Sequence, residues 1–548
     1  MDSSPQSEQH LDTNILILEA PNAATALEAA PRGIIDAVDN EIAELEEEGR
    51  SHDTKPPIQR IPDDILLESF FKLVTSAAPW PYAHPSIVAS QVCHGWRDLV
   101  LSTPLLWTKI ELILPLASVW EELNPPPAQG DFEQYLSLCR HYLHSMAERV
   151  RMFTQRSAGC PLQLEVMVYD AVKVRLPSSL QPWSQVFAPL VEVVSDSTTQ
   201  WESIDLDLAV VPESSLALHL LRLLVALPGS GMRSAVLCLQ MSSQIPESLW
   251  NEVLPDGKLD LRSAELHSLS VRMAYGDMSC VQASWEGLTT LTSGAPPSGS
   301  RFLPSEALDI LRSTPNLIHC TIYFSVASSH RPPVLESLTL THLESLTIVG
   351  KLPPRPFAEA LELPSLTRLL TGRAMGVEEG VKTSAVLLWI EKYGAQLKEV
   401  SVAYTSLKMP AMRVALNNLP NVESLELTSR TSPPANIGPF RLTIFTLPSG
   451  FTFDADGILK ELDPGNPDGC PCPRLRTLVL EHWFGSEEKA MDAAVDLVEK
   501  RRNPQRPESI SRLDTLDITF LQRPPGRDIF VDLERKGVDT DGITIRSK

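Results

Sequence analysis

Residues 473–480 read Pro-Arg-Leu-Arg-Thr-Leu-Val-Leu. The same phrase returns at 420–427 as Pro-Asn-Val-Glu-Ser-Leu-Glu-Leu and at 315–322 as Pro-Asn-Leu-Ile-His-Cys-Thr-Ile. Each copy opens on a proline, turns, and then spaces its apolar residues as Leu-x-x-Leu-x-Leu. Further copies are Leu266/Leu269/Val271, Leu335/Leu338/Leu340, Leu343/Leu346/Ile348, Leu397/Val400/Val402 and Leu513/Leu516/Ile518, and Pro333 and Pro364 stand at the same offset. Proline stops a preceding helix, and the alternation after it is that of a short strand with one buried face. Segments of helical character lie between the copies, at 303–311, 384–389, 411–416 and 491–498. A single strand–helix unit of this size cannot bury its apolar face, so neighbours must stack.

The pattern predicts a mixed α/β fold with parallel strands, and its plan resembles that of leucine-rich repeats. The period is irregular. First apolar positions fall at 317, 335, 343, 366, 397, 422, 475 and 513. The 335/343 pair leaves no room for a helix, so it reads as a hairpin or as one non-repeat unit. The stretch 428–469 reads as loop or insertion. A divergent, curved solenoid over 161–548 is the expectation, with a non-repeating α/β domain as its alternative.

Upstream of the repeats, the segment 61–110 carries a different code. Pro62 can open a helix, and Asp63 and Asp64 suit the positive end of its dipole. Ile61, Ile65, Leu66, Phe70, Leu73 and Val74 then recur at helical spacing, while Leu67 and Phe71 widen the apolar face beyond what one short helix needs. Prolines between 79 and 85 break that helix. A second helix is predicted from about Ser86, with Val88, Val92, Trp96 and Leu99 on one face and Gly95 inside it. A third start follows at Thr103 as N-cap and Pro104 in the first helical position. Three short helices with surplus apolar surface suggest a docking module, against the plainer reading of a helical subdomain packed on the rest of the chain.

Ile61-Pro62-Asp63-Asp64-Ile65-Leu66, then Phe70, then Val92-Cys93-His94-Gly95-Trp96-Arg97-Asp98-Leu99, then Leu106-Trp107 resembles the F-box in residues and in order. The long break carrying Trp80, Pro81, Tyr82 and His84, and Gly95 within the second helix, depart from that pattern. Arg156, Ser157, Pro161 and Leu162 add a weaker similarity to F-box proteins of the kind found in mushroom-forming fungi. The resemblance implies an N-terminal three-helix F-box over 58–112 and a substrate-binding region over 161–548; between them, Tyr135, Leu138, Tyr142, Met146 and Val150 on one face predict a connecting helix over 131–160. It implies adaptor contact at Ile61, Pro62, Ile65, Leu66, Phe70 and Trp107, and an F-box core of Val92, Cys93, Trp96 and Leu99. The partners implied are a Skp-type adaptor, through it a cullin, and a protein substrate. The chain would then be the non-catalytic substrate-recognition subunit of a ubiquitin ligase. The competing reading is a protein-binding scaffold whose F-box engages no ligase.

Composition bounds the rest. The chain has 548 residues, is 43% hydrophobic and carries a formal charge of −22, so most of it should fold, and bulk electrostatics disfavour nucleic acid as a partner. The eight cysteines are scattered, several within apolar runs, and read as reduced thiols of a cytoplasmic or nuclear protein. No secretory signal is apparent, and no apolar run is long enough for a membrane helix. Residues 1–33 read as disordered. Ile35, Val38, Ile42 and Leu45 form a short stripe within 34–50, either a coiled-coil seam or a helix packing on its own domain.

Enzyme motifs are missing: there is no phosphate-binding loop, nucleophile elbow or His-Glu-x-x-His. Cys470-Pro-Cys472 lacks a second cysteine pair, and reads as a turn. Cys139, His141 and His144 share one helix without further ligands, so no metal and no cofactor is expected. Arg501-Arg502 reads as charge capping a helix end.

Overall fold

The computed structural model describes residues 61–75, 84–114, 132–168, 181–196, 199–211, 231–241, 258–263, 265–273, 281–294, 302–324, 335–375, 384–403, 407, 409–428, 455–466, 469–483, 487–520 and 528–547. The expectations for 1–33 and 34–50 lie outside these residues. The chain divides into two compact units, 1–69 and 70–548.

Helix α1 spans Asp63–Thr75, and α2 (Pro85–Val92) and α3 (His94–Leu101) follow. After one 3-10 turn, Pro104–Trp107, the chain enters strand β1, Lys109–Leu114. Helix α4 (Phe132–Arg156), β2 (Leu162–Val168), α5 (Gln181–Val194), β3 (Trp201–Val211) and β4 (Ser234–Met241) come next. The strands β5 to β9 are Leu259–Leu261, Ser268–Met273, Val281–Ala283, Thr290–Gly294 and His319–Phe324, with α6 (Pro304–Ser313) before the last. Then come β10 (Leu338–Thr339), β11 (Ser345–Lys351), α7 (Arg355–Ala360), β12 (Leu361–Glu362), β13 (Arg368–Met375), α8 (Ala385–Tyr393) and β14 (Glu399–Ala403). The chain closes with α9 (Met409–Asn417), β15 (Ser424–Thr428), α10 (Ala455–Glu461), β16 (Thr477–Trp483), α11 (Glu487–Arg502), β17 (Thr515–Phe520), α12 (Ile529–Arg535) and β18 (Ile543–Ser547).

Among the described residues fourteen strands form one sheet whose spatial order follows the chain: β1-β2-β3-β4-β6-β8-β9-β11-β13-β14-β15-β16-β17-β18. Every pairing is parallel, with partners such as Leu346↔Cys320, Val400↔Leu425 and Leu478↔Leu516. The repeat positions explain this. Leu317, Leu343, Leu366, Leu397, Val422, Leu475 and Leu513 are all fully buried, as are the next apolar positions of each copy on the main strands. The turn before each strand also docks in one repeated way. The carbonyl of Ile318 accepts from the N–H groups of Glu344 and Ser345, that of Glu344 from Thr367 and Arg368, that of Thr367 from Lys398 and Glu399, and that of Lys398 from Glu423 and Ser424. The residue after the turn proline adds a side-chain bond backwards: Asn316 Nδ2 to Glu286 O at 2.9 Å, Ser365 Oγ to Thr341 O and Asn421 Nδ2 to Ala395 O at 2.6 Å.

The 335/343 pair is neither a hairpin nor a second main-sheet repeat. Leu338 and Thr339 pair in parallel with Leu361 and Glu362 in a separate two-stranded ladder, and β11 alone joins the main sheet. Within 428–469 the structure places α10, and 429–454 lie outside the described residues.

Between strands, aromatic rings fill the core: Phe302 meets Phe324 at 6.1 Å, Phe324 meets Phe357 at 5.4 Å, and Phe357 meets Trp389 at 6.4 Å. Trp389 is fully buried, and among the described residues its indole N–H has no hydrogen-bond partner. Such an orphan donor costs about 1–3 kcal/mol. Trp389→Phe removes it while surrendering part of the indole's packing, so the two effects oppose. Chemical unfolding should show a change within about 1 kcal/mol, against roughly 3–5 kcal/mol for Phe357→Ala. A large loss in Trp389→Phe would mean that the N–H is satisfied in solution.

Arg501 and Arg502 do more than cap a helix end. Arg501 is wholly buried; Nη2 donates to Leu462 O at 3.1 Å and Nη1 to Cys472 O at 3.3 Å, with Pro471 O and Cys470 Sγ also at 3.3 Å from Nη2. Arg502 donates to Leu513 O at 2.9 Å and to Asp514 O and Asp541 O at 2.8 Å. Two guanidinium groups from one helix end thus fasten the segments on either side of it. Cys472 takes a left-handed φ of +51° in this turn, and burial pushes its thiol up to about 12.

Candidate docking surface

In the first unit, Pro62 O accepts the N–H of Leu66 at 3.1 Å, which starts α1 with the two aspartates in its first turn. Leu66 is buried, whereas Ile61, Pro62 and Ile65 are exposed, Ile65 by 48%.

In the second unit, Phe70 and Val74 are buried, and Phe70 meets Trp96 edge-on at 5.0 Å. The expected second helix is two helices. Cys93 sits in extended backbone (φ −156°, ψ 171°) between α2 and α3. His94 and Gly95 are weak helix formers, and the break lets Trp96 turn toward Phe70 while Val92 stays outside. Gly95 accordingly lies in the first turn of α3. The expected third helix is the single 3-10 turn; Thr103 makes no cap, and its hydroxyl donates to Leu99 O at 2.7 Å.

A compact frame holds these helices. Trp107 is fully buried; its Nε1 donates to Val100 O at 2.9 Å, its ring meets Phe153 at 5.2 Å, and the Arg156 guanidinium lies 4.3 Å from its centroid. Ser86 Oγ donates to Leu106 O at 2.7 Å and Arg97 Nε to Ser90 O at 2.9 Å. His84 caps α2, with Nδ1 accepting the Ser86 N–H at 3.2 Å. Its ring packs edge-on against Phe153 at 4.8 Å.

Of the residues expected at an adaptor contact, Ile61, Pro62 and Ile65 offer surface, whereas Leu66, Phe70 and Trp107 are interior. Of the residues expected in the core, Val92 is 51% exposed, and Cys93, Trp96 and Leu99 are half-buried. Helix phase explains the exchange. Val88 and Val92, four residues apart, share one outward face of α2, while Trp107 follows a turn that drops it beneath α3. Sequence reading missed Val88 and Leu105 as surface residues. The signal was present: too many large apolar residues for three short helices.

Ten large apolar side chains are exposed among the described residues. Ile61 and Ile65 in the first unit, and Leu73, Val88, Val92, Leu101 and Leu105 in the second, are seven of them. Scattered single exposures need no explanation, but seven of the ten lie within the 45 residues 61–105, an enrichment of exposed apolar side chains in that stretch. The motifs elsewhere hold no comparable arrangement. Cys139 is in the core, His141 and His144 are exposed, and His144 faces Glu148 at 4.0 Å. Among the described residues no three His, Cys, Asp or Glu side chains are placed to hold a metal ion, and no helix is long and apolar enough to cross a membrane. The seven described cysteines are free thiols.

Burial lowers the His84 imidazole to about 4, with the Lys109 and Arg149 charges adding to the effect. The neutral ring is therefore favoured in the folded state. Its contribution to stability is full above the ordinary histidine value near 6.5 and is lost as pH falls to about 4, a change of roughly 3 kcal/mol. Urea unfolding across that interval should show the decline, and His84→Asn should flatten it; an equal decline in both would assign it to carboxylates instead.

The chain matches no known protein-family model, and no curated protein sequence matches it.

Proposed function

We propose that this chain is the substrate-recognition subunit of a Skp–cullin–F-box type ubiquitin ligase. The F-box-like stretch docks the adaptor, and a divergent leucine-rich-repeat-like solenoid binds a protein substrate. The observation that carries the reading is the concentration of exposed apolar side chains within 61–105, the same stretch whose residues follow the F-box order. In the first unit the proposed adaptor contacts are Ile61, Pro62 and Ile65, with Leu66 behind them; in the second, taken by itself, they are Val88, Val92, Leu101 and Leu105, with Phe70 and Trp107 in the interior. For the solenoid, the support is a parallel sheet whose order follows the chain and whose turns dock by one repeated hydrogen-bond pattern. Its polar face, with half-buried residues such as Ser268, Thr292, Thr321, Thr347 and Glu426, is available to a substrate. The chain supplies proximity, and the chemistry of ubiquitin transfer resides in its partners.

The test uses the full chain and a purified Skp-type adaptor. Ile65→Asp and Leu105→Asp should each weaken binding by roughly 30-fold or more, the size of a hot-spot loss near 2 kcal/mol. Val414→Asp, at an exposed apolar position on α9, should bind as the parent does. Unfolding of all three should stay near the parent value, because the positions are exposed. An unsubstituted chain that fails to bind the adaptor would leave the scaffold reading in its place.

A further inference from the structure

We infer that His84 is a latch that fixes the helices α2 and α3 against β1 and α4, and so sets the direction in which the docking surface of the second unit faces. The significance of the latch rests on the adaptor-docking reading, but its geometry does not. Only Thr108 separates the 3-10 turn from β1, so the backbone link is short. Three elements then converge on one imidazole. Its Nδ1 caps α2 through Ser86 N–H, its edge contact is Phe153 of α4, and Lys109 at the start of β1 is near enough for its charge to act on the ring. Phe153 also touches Trp107, so the same α4 side chain grips both ends of the helical segment. Tyr142, further back on α4, donates to Ile113 O of β1 at 3.1 Å and ties that helix to the strand independently of the latch.

The latch works with the neutral ring. As a hydrogen-bond acceptor, Nδ1 carries no proton; protonation replaces its lone pair with a donor facing the Ser86 donor, and the cap is lost. The charged groups facing the ring are both cations, Lys109 on β1 and Arg149 on α4. Lys109 is held in place by Glu111 at 2.6 Å and Glu165 at 3.3 Å, and α2 and the 3-10 turn contribute no charged residue. An imidazolium therefore gains no counter-ion on its own elements. At neutral pH the latch is shut; acidification opens it at the cap.

The experiment measures a distance distribution in the full chain by electron spin resonance. Genetically encoded spin labels at His94 on α3 and Lys398 before β14 leave the native cysteines untouched. The unsubstituted chain should give a narrow distribution at neutral pH that broadens as pH falls to about 4. His84→Ala should be broad already at neutral pH. His84→Asn retains a capping oxygen without a titrating ring, so its width should not respond to pH. A parent chain that stays narrow near pH 4, a His84→Ala chain as narrow as the parent, or a His84→Asn chain that broadens in step with the parent would each overturn the latch. Adaptor binding by the same samples at neutral pH is a separate readout: its absence defeats the docking reading and leaves the latch to be judged on distances alone.

Discussion

Replacing Arg501 with alanine is expected to cost roughly 3–5 kcal/mol. The side chain is fully buried, and burial disfavours its charge, yet among the described residues no carboxylate hydrogen-bonds to it; carbonyl oxygens of Leu462, Pro471 and Cys472 surround it instead. Hydrogen bonds to a charged group are worth about 1.5–3 kcal/mol each. Truncation leaves a void, and among the described residues Leu462 O and Pro471 O keep only the weak Cys470 thiol donor while Cys472 O keeps the Leu475 N–H. Arg501→Lys should recover little, because an ammonium lacks the planar fork that reaches Leu462 O and Cys472 O together. The loss should be local, since each strand of the main sheet pairs only with its neighbours. Hydrogen exchange should show protection falling over 455–520 while β1 to β4 keep theirs. Uniform loss of protection along the chain, or an Arg501→Ala change below about 1 kcal/mol, would show that these carbonyls find water instead.

Trp107→Ala is the second large effect, at roughly 3–5 kcal/mol by urea unfolding. It removes a fully buried indole together with its hydrogen bond to Val100 O, which keeps the Thr103 N–H, and deletes the edge contact to Phe153 and the cation–π contact to Arg156. Trp107→Phe should cost less, because it keeps a ring against Phe153 and loses the N–H and part of the volume. The pair also separates two roles for this residue. A tryptophan that supports the docking surface from inside leaves adaptor binding intact in Trp107→Phe once folding is equalised. A tryptophan that contacts the adaptor loses binding in both variants.

Much of the sheet was legible before the structure. A turn proline followed by Leu-x-x-Leu-x-Leu encodes stop, turn and a half-buried strand within eight residues, and the copies enter the main sheet except Leu335/Leu338/Leu340, whose strand pairs in a separate ladder. The helices at 304–313, 385–393, 409–417 and 487–502 were legible for the same reason. The helix at 181–194 and the strand at 201–211 were absent from the sequence expectations. The strand nonetheless alternates Ser203-Ile204-Asp205-Leu206, and Ile204 and Leu206 are its buried positions.

The sequence alone therefore gave parallel strands of a mixed α/β fold at the repeat positions, because backbone stops and alternating burial are properties of neighbours in the chain. It also marked 61–105 as too apolar for three short helices. Only the tertiary structure decided which of those apolar residues face out. Trp107 is buried by Phe153 and Arg156, which lie more than forty residues away in the chain, and Val92 is left outside because Cys93 breaks the helix and turns Trp96 toward Phe70. Arg501 gives the same lesson: two arginines at a helix end look like surface charge until three distant carbonyls close around one of them. Burial of a single side chain depends on partners brought by the fold, and no local spacing records them.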